Sequence, residues 1–417
     1  MKDSLHVKVS TEKVGSILLE NNEYIFDYTT DNQNAFVSLS MPVRSKSYAN
    51  PKLHPIFEMH LPEGYLLSII KKHFSKITKT DDFGLLQLMA HSIRGRLTYE
   101  AETTQEEATL SLDALLHPKS EMLFDELVTR FALGSPISGV QPKVLAKVRD
   151  KVTLPLQEYI VKSWGDEYPH LALNEFYCMK VVKCAGIEVP EFYLSDDNKL
   201  FIMKRFDIKD DGSYLGFEDM CVLQARQADE KYEGSYEYVA KSIKTFVSPK
   251  HKKKALRDFF KMMVINTLVQ NGDAHLKNFG VLYENIHNIW LAPAYDVVCT
   301  TLYIQKDIPA LHLLGSKKWW SKAFLLRFGK ESCELSPNET LVLYDECVES
   351  LRITTHEVKE RIEIENDLHV KAFLNSLVEV FKRGALENLC QSGSISNTKG
   401  LNDGISDRHR GNITTDS

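Results

Sequence analysis

The chain has few of the features that are typical of secreted, zinc-binding or membrane proteins. Its seven cysteines are scattered, without a CxxC pair or a regular spacing, which indicates reduced thiols rather than a disulfide framework or a zinc site. No apolar run approaches the ~20 residues that cross a bilayer, and the N-terminal sequence MKDSLHVKVSTEK has no apolar segment typical of a signal peptide. We therefore expect a cytoplasmic protein that makes no membrane contact.

The sequence also lacks the common phosphate-binding loops and a basic charge balance. Neither GxxxxGK[ST] nor the GxGxxG of typical protein kinases occurs. The formal net charge of -6 argues against non-specific polyanion binding by the whole molecule. With 43% apolar and 26% charged residues the composition is that of a globular protein, and 417 residues predict two or three domains.

The first 120 residues predict a small β-rich subdomain. Short β-like runs alternate with polar turns over residues 1–46, and helices are expected from about Pro62 and over residues 81–90. GRLTYE predicts a strand, and the polar segment 105–117 is expected to be a connector. No pattern in this region indicates chemistry, so we expect structural and partner-facing roles.

A glycine-containing loop precedes the next predicted strands. After a helix predicted over residues 121–131, the segment LGSPISGVQPK leads into the β-like runs KVLAKV, VTLPLQ and EYIVK. In kinases a loop and hairpin of this kind cover the phosphates of ATP with backbone N–H groups. We therefore expect Ser138, Gly139 and Val140 to contact ATP.

Lys162 and Glu175 follow this loop as a candidate ion pair. Lys162 ends the third β-like run, where its ammonium could reach the phosphates, and Glu175 lies in the first turn of a helix predicted over residues 173–185. Two alternatives stay open: Lys162 as a solvated strand-end residue, and Glu175 as a carboxylate that only complements the helix dipole. The next hairpin ends near Lys204 and Phe206, whose backbone could bind an adenine edge at a hinge.

The segment NGDAHLKNFG carries the most informative pattern. It follows an apolar helix predicted over residues 255–270, which Gly272 should end because glycine tolerates the left-handed conformation. Asp273, Asn278 five positions later and Asp296 in PAYD form an ordered set. In an ATP-dependent kinase the first Asp orients the attacking hydroxyl, and the Asn and second Asp hold magnesium. Each residue alone also suits a turn or cap, but the ordered set after a buried helix favours a kinase.

The segments SLSMP, HPIF, LPEG, SGVQPK, RFD, EDMC, NGDAHLKNF and PAYD are distributed along the chain. Together they resemble the HipA-type toxin kinases of bacterial toxin–antitoxin systems, and the resemblance extends to about residue 385. The resemblance implies an α+β, two-lobed protein-kinase-like fold with an additional N-terminal β-rich subdomain and a mainly helical C-lobe. We expect domains over residues 1–120, 121–206 and 207–390. Residues 391–417 have almost no bulky apolar side chains and are expected to form a disordered tail.

The resemblance also implies a role for each matching residue of a serine/threonine protein kinase. Asp273 corresponds to the catalytic base, and Asn278 and Asp296 correspond to the magnesium ligands. Glu175 is expected to support the phosphate-binding lysine. The residues expected to bind ATP are Ser138, Gly139, Val140, Lys162, Lys204, Phe206, His275 and Lys277.

Partners are implied by the same resemblance. Family members pair with a small helix-turn-helix antitoxin, join it on operator DNA and phosphorylate aminoacyl-tRNA synthetases, with growth arrest as the consequence. The acidic net charge predicts that any DNA contact is made mainly through the antitoxin.

One position departs from the family pattern. HipA-type kinases inactivate themselves by phosphorylating a loop serine, and the corresponding position here is Pro136, which has no hydroxyl. Ser138, immediately before Gly139, resembles a second phosphorylation site of shorter relatives, and we take it as the candidate. Its phosphate would add about -1.5 to -2 charges and should eject the loop from its place over ATP. The alternative is that Ser138 is only the small residue that a tight loop requires.

Two other functions stay open. A small-molecule or lipid kinase could use the same Asp-to-Asn arrangement, although the sequence has no membrane-binding segment to favour a lipid. A catalytically idle protein could instead co-repress DNA with an antitoxin. The intact set of Lys162, Asp273, Asn278 and Asp296 favours an active kinase over such a protein.

Overall fold

The computed structural model describes residues 4–64, 66–67, 70–71, 81–100, 111–119, 123, 152–155, 158–165 and 167–386. Four predicted segments lie outside these residues: the helix over 121–131 apart from residue 123, the glycine-containing loop with Ser138, Gly139 and Val140, the β-like run KVLAKV, and the tail over 391–417.

The N-terminal region contains the small sheet predicted for it. Its strands are antiparallel and run in the order β4-β3-β2-β1-β5. Leu5, Val7 and Val9 of β1 are buried while their neighbours are partly exposed, because successive side chains of a strand face opposite sides. The elements are β1 (Ser4–Val9), β2 (Glu12–Glu20), β3 (Glu23–Tyr28), β4 (Tyr48–Asn50), α1 (Pro55–Glu58), α2 (Asp82–Met89), β5 (Leu97–Tyr99) and α3 (Leu112–Leu116).

Helix α3 corrects the expectation of an unstructured connector over residues 105–117. The hydroxyl of Ser111 accepts a hydrogen bond from the Ala114 N–H and caps the first turn. Leu115 is fully buried, and Leu112 and Leu116 pack against the same apolar cluster, so three leucines anchor this short helix within an otherwise polar segment. The helix expected near Pro62 is present in its described residues, which are helical from residue 64 onward.

The second sheet brings Lys162 to a central strand. It is antiparallel with the order β6-β7-β9-β8, and β7 pairs with both β6 and β9. Helix α4 packs against β7, β8 and β9 and carries Glu175 on its buried side. The elements are β6 (Val152–Pro155), β7 (Tyr159–Ser163), α4 (Leu171–Cys184), β8 (Phe192–Leu194) and β9 (Phe201–Lys204).

The third sheet, β10-β11-β12, connects the motif EDMC to the segment that follows NGDAHLKN. Gly216 of β10 pairs with Tyr283 of β11, and a Cβ at Gly216 would lie 2.1 Å from the Tyr283 ring, so the close approach requires glycine. The elements are β10 (Gly216–Asp219), α5 (Met220–Leu223), β11 (Gly280–Asn285) and β12 (Asn288–Leu291).

Helices make up most of the remaining chain. The elements are α6 (Tyr236–Phe246), α7 (Pro249–Leu268), α8 (Lys322–Glu331), α9 (Pro337–Ile364) and α10 (Leu368–Leu386). Helix α7 begins at Pro249 and not near residue 255 as expected, because a proline suits the first helical position and the following lysines are solvated. Among the described residues, no helix is long and apolar enough to span a bilayer.

The buried apolar side chains form two clusters that cross the predicted domain boundaries. One joins the N-terminal sheet to the second sheet, because Val161, Leu200 and Ile202 pack with side chains of residues 5–115. The other surrounds α7 and takes in Phe36 from the N-terminal region. The N-terminal region is therefore packed into the rest of the chain.

Glu218 forms a polar junction between the N-terminal region and the third sheet. Its buried carboxylate accepts hydrogen bonds from the Ser38 hydroxyl at 2.9 Å, the Leu39 N–H at 2.7 Å and the Tyr283 hydroxyl at 2.8 Å. Burial raises the pKa of Glu218 to about 7, although these three donors and Arg96 oppose the increase. The junction is followed in the chain by Asp219, a buried residue whose carboxylate lies 3.6 Å from the ammonium of Lys277.

Candidate active site

The segment that carries Asp273 is shaped by the end of α7. Gln270 adopts the left-handed conformation with φ at 56°, whereas Gly272 has no positive φ. The prediction that Gly272 ends the helix in a left-handed conformation is therefore wrong. Gly272 is required for space instead, since a Cβ there would lie 2.0 Å from Asp307 Oδ2.

Asn271 holds the backbone before Asp273 in place. Its side-chain nitrogen donates to Asn266 Oδ1 at 2.9 Å, and its side-chain oxygen accepts the Asp273 N–H at 3.1 Å. The Gly272 N–H donates to the Thr300 hydroxyl at 2.8 Å. These contacts hydrogen-bond the backbone N–H groups of Gly272 and Asp273, and they hold the Asp273 side chain at the cavity.

Asn278 links the two aspartates that the sequence singled out. Its Nδ2 donates to the backbone oxygen of Asp273 at 3.1 Å and to that of Asp296 at 3.3 Å. Because the nitrogen is used in this way, the amide oxygen is directed away from these carbonyls. Asp296 adopts a left-handed conformation with φ at 59°, which is uncommon outside glycine and concentrates at functional sites.

The expected ion pair of Lys162 and Glu175 is present and includes a third residue. Lys162 Nζ lies 2.6 Å from Glu175 Oε1 and 2.8 Å from Asp296 Oδ1. Lys162 is 6% exposed and Glu175 is 1% exposed. The ammonium therefore joins the second sheet, α4 and the loop after β12.

The chemistry of these side chains fits a magnesium ion. Mg²⁺ prefers oxygen ligands and is usually held by one or two carboxylates together with phosphate oxygens. The Asp296 carboxylate and the Asn278 amide oxygen are ligands of this type. The described residues contain no group of three or more His, Cys, Asp or Glu side chains that could hold a metal unaided. Phosphate oxygens would therefore complete the coordination.

A cavity of about 700 Å³ opens beside these residues, which is within the usual size of a ligand site. Of the predicted site residues, its lining includes Phe206, Asp273, His275, Lys277, Asn278 and Asp296. Lys162 and Glu175 are not lining residues, but the Lys162 ammonium contacts the lining residue Asp296. Lys204 is set apart: its side chain is exposed, its ammonium is 3.7 Å from Glu191, and its N–H donates to the Glu191 carbonyl.

Lys277, which lines the cavity, makes ion pairs with two carboxylates. Its ammonium is 2.8 Å from Glu63 and 3.6 Å from Asp219. Burial alone would lower the pKa of Lys277, but the two carboxylates raise it above its ordinary value. Burial would likewise raise the pKa of Glu63, but Lys277 and Lys231 lower it to about 2. Glu63 and Lys277 are therefore both charged at neutral pH.

The N-terminal region contributes much of the cavity wall, which the sequence analysis missed. Met59, His60 and Glu63 line one side, and residues 92–97 line another beside Arg205 and Phe206. Glu63 belongs to the LPEG segment, which predicts a helix start and carries part of the family resemblance but indicates no site role for this residue. Its ion pairs with Lys231 and Lys277 join residues more than 160 positions apart, and no local pattern predicts them.

Tyr232 is the other site residue that sequence reasoning missed. Its hydroxyl donates to Asp273 Oδ1 at 2.8 Å, and its ring packs edge-on against His275 at 5.1 Å. His275 is buried and its Nε2 lies 3.9 Å from Asp273 Oδ1. Tyr232 lies in a polar stretch without periodicity, which contained no signal for a role beside Asp273.

Two known protein-family models match the chain. The model of the HipA-like C-terminal domain family matches residues 135–355, and that of the HipA N-terminal domain matches residues 5–100. The protein called "Putative kinase Y4dM" from Sinorhizobium fredii is 26% identical over 350 residues, covering 75% of this chain and 81% of that protein. A Haemophilus influenzae protein with the same kinase designation is 31% identical over 223 residues, covering 47% of this chain and 64% of its own length.

A solved structure extends the comparison to the fold. The Shewanella oneidensis toxin HipA, determined in complex with HipB and operator DNA, superposes with a TM-score of 0.65 at 17% identity, covering 93% of this chain and 97% of that one. The predicted α+β, kinase-like fold is therefore confirmed. Because one family model spans more than half of the chain and a second matches its N-terminal region, the chain belongs to the HipA family.

Proposed function

We propose that the chain is an ATP-dependent serine/threonine protein kinase. The observation that carries the proposal is the joint geometry of Asp273, Asn278 and Asp296 around one cavity, with Lys162 bonded to Asp296 and Glu175. A base, two oxygen ligands for magnesium and a fixed ammonium are the components that phosphoryl transfer requires. The kinase designation of the two relatives supports the same activity.

In this mechanism Asp273 receives the proton of the acceptor hydroxyl. The hydroxyl oxygen forms a bond to the γ-phosphorus, the bond from that phosphorus to the β–γ bridging oxygen breaks, and ADP leaves. Lys162 neutralises phosphate charge while Glu175 fixes its position. A bound Mg²⁺ would supply charge neutralisation between the phosphates. Asn278 and Asp296 are the residues that would hold it.

The nucleotide base is assigned to the apolar part of the cavity lining. Ile160 on β7 and Phe217 on β10 line it with apolar surface, and the hinge residues Arg205 and Phe206 lie between them in the chain. Phe206 is itself held by a stacked contact with Tyr295 at 5.5 Å. This apolar part suits an adenine ring, and the polar part around Asp273 suits the phosphates.

The activity is tested by transfer of labelled γ-phosphate to proteins of a bacterial extract and to a pool of serine- and threonine-containing peptides. Asp273→Asn keeps the shape and removes the base, so transfer should fall by about 10²–10⁴-fold. Asp229→Asn is the matched control, because Asp229 is a surface residue paired with Lys52 and does not line the cavity. Equal transfer by the wild type and Asp273→Asn would contradict the proposal.

The biological setting is also proposed: a toxin that a helix-turn-helix antitoxin neutralises, with operator DNA bound mainly through the antitoxin and an aminoacyl-tRNA synthetase as a candidate acceptor. Support for the antitoxin and DNA comes from the complex in which the Shewanella protein was solved. The net charge of -6 supports indirect DNA contact. Tight binding of the isolated chain to operator DNA in a mobility-shift assay would oppose that part.

Autophosphorylation of Ser138 is proposed as the inactivating step. The glycine-containing loop lies outside the described residues, so the support is the position of Ser138 immediately before Gly139. Phosphopeptide mapping after incubation with ATP should find phosphate on Ser138 in the wild type and none in Asp273→Asn. An unmodified loop in the wild type would remove this step.

A further inference from the structure

Tyr232 contacts the proposed base directly, and neither the family motifs nor the mechanism above uses it. Its hydroxyl donates to Asp273 Oδ1 at 2.8 Å. Tyr232, Asp273, Asn278 and Asp296 line the same cavity. The phenol therefore occupies the immediate surroundings of the atom that would receive the acceptor proton.

The backbone around Tyr232 is fixed to the segments that form the site. The Lys231 carbonyl accepts the Leu276 N–H at 3.1 Å, which ties it to the turn between Asp273 and Asn278. The Tyr232 carbonyl accepts Lys317 Nζ at 3.2 Å. These anchors hold the tyrosine at a constant distance from Asp273, as a positioning group requires and a mobile gate does not.

The ring of Tyr232 separates the buried part of the site from solvent. It packs edge-on against His275, with an angle of 80° between the ring planes, and His275 is 6% exposed. Tyr232 itself is 45% exposed. The side chain therefore contacts a buried residue of the site and lines the cavity, while almost half of it is accessible to solvent.

We infer that Tyr232 positions the Asp273 carboxylate and forms one wall of the acceptor site. A carboxylate that accepts a hydrogen bond on Oδ1 cannot rotate freely, and Oδ2 becomes the oxygen that meets the acceptor hydroxyl. The phenol keeps its own proton throughout, so it takes no part in the transfer itself. This inference rests on the proposed kinase activity and adds a residue that orients the base.

The test compares Tyr232→Phe with the wild type in transfer of labelled γ-phosphate to the serine- and threonine-containing peptide pool. Removing the hydroxyl and keeping the ring should lower kcat by roughly threefold to tenfold, less than for a buried hydrogen bond to a charged group because water can replace it. The Kd for ATP and the Tm should stay within error, because Lys162, Asn278 and Asp296 are untouched. Tyr238→Phe, an exposed tyrosine outside the cavity lining, is the matched control.

A lower kcat with an unchanged Kd for ATP and an unchanged Tm indicates a positioning role for Tyr232. A merely structural role would lower Tm or weaken ATP binding together with kcat. An unchanged or increased kcat in Tyr232→Phe would overturn the inference, since a group that obstructs the base gives an increase. Phosphate found on Tyr232 of the wild type would also overturn it, by making the phenol an acceptor. If the wild type and Asp273→Asn transfer equally, the kinase proposal itself fails and the inference falls with it.

Discussion

Lys162 and Asp296 are 134 residues apart in the chain, and their ammonium and carboxylate lie 2.8 Å apart. The same ammonium is 2.6 Å from Glu175. Lys162 therefore holds a proposed magnesium ligand and a buried helix residue at once. Losing it should affect both the stability of the fold and the transfer reaction.

Comparison of Lys162→Met with the double variant Lys162→Met/Glu175→Gln should separate the effect on stability from the effect on transfer. The single substitution removes the ammonium beside a buried carboxylate and should cost about 3 kcal/mol or more in the free energy of unfolding, together with nearly all transfer. The double variant removes both charges and should recover most of the stability without the activity. Denaturant unfolding and the labelled transfer assay measure the two quantities. Recovery of transfer in the double variant would contradict the phosphate-binding role of Lys162.

Gly272→Ala should displace the backbone next to Asp273. The new Cβ would lie 2.0 Å from Asp307 Oδ2 and 2.9 Å from the Ile308 carbonyl, so the segment must move. Transfer should fall by at least about tenfold, since misplacing a reacting group by ~1 Å can cost more than that. Adding Asp307→Ala removes the first clash and should restore part of the rate. Wild-type transfer in the single variant would show that the segment tolerates the shift.

Glu218 should make the protein less stable as pH rises from 4.5 to 7. Its folded-state pKa of about 7 is above the ordinary 4.5, so between these values the folded protein binds more protons than the unfolded chain. The contribution of Glu218 to the free energy of unfolding is therefore greatest below pH 4.5. It declines between pH 4.5 and pH 7 by an amount on the order of 3 kcal/mol.

Glu218→Gln is the matched control for this pH dependence. The amide oxygen can accept from Leu39 and Tyr283, and the amide nitrogen can donate to the Ser38 hydroxyl, so the junction survives without a titrating group. Chemical unfolding of both proteins at several pH values should show a smaller decline for the variant. Parallel curves would mean that another group sets the dependence.

Glu63→Gln should weaken the contact between the N-terminal region and the Asp273 segment. Glu63 pairs with Lys231 and the largely buried Lys277, but it is 41% exposed, so solvent screening limits the loss in unfolding free energy to about 1 kcal/mol. Glu100→Gln is the control, because Glu100 has similar exposure and pairs with the exposed Lys13. The Tm of Glu100→Gln should equal that of the wild type within error. Equal Tm values for the two variants would argue against a special contribution from Glu63.

The sequence predicts those site residues that lie close together in the chain. Asp273 and Asn278 are five residues apart, and the backbone between them is short enough for spacing to fix their geometry. Asp296 follows after one hairpin. Glu63 and Tyr232 reach the same cavity from segments whose local patterns describe only a helix start and a polar loop, so their roles depend on tertiary packing that spacing does not encode.

The fold shows the same distinction. Apolar periodicity predicted α7, but it placed the start near residue 255 because the first turn carries lysines, although Ser248 and Pro249 form a recognisable start signal. Glycine at a helix end suggested a left-handed Gly272, while Gln270 adopts that conformation. The first difference arose because apolar periodicity was given more weight than a local proline signal, and the second because close packing against Asp307, not backbone conformation, requires glycine at position 272.

The apolar cluster that joins the N-terminal sheet to the second sheet has a consequence for how the chain unfolds. Val161, Leu200 and Ile202 belong to the same buried cluster as the side chains of β1 to β3. Exposing one set removes the packing of the other, so the two sheets should lose structure in one cooperative step, although a boundary near residue 120 separates them in sequence. Neither sheet should therefore be an independently stable fragment when it is separated from the other.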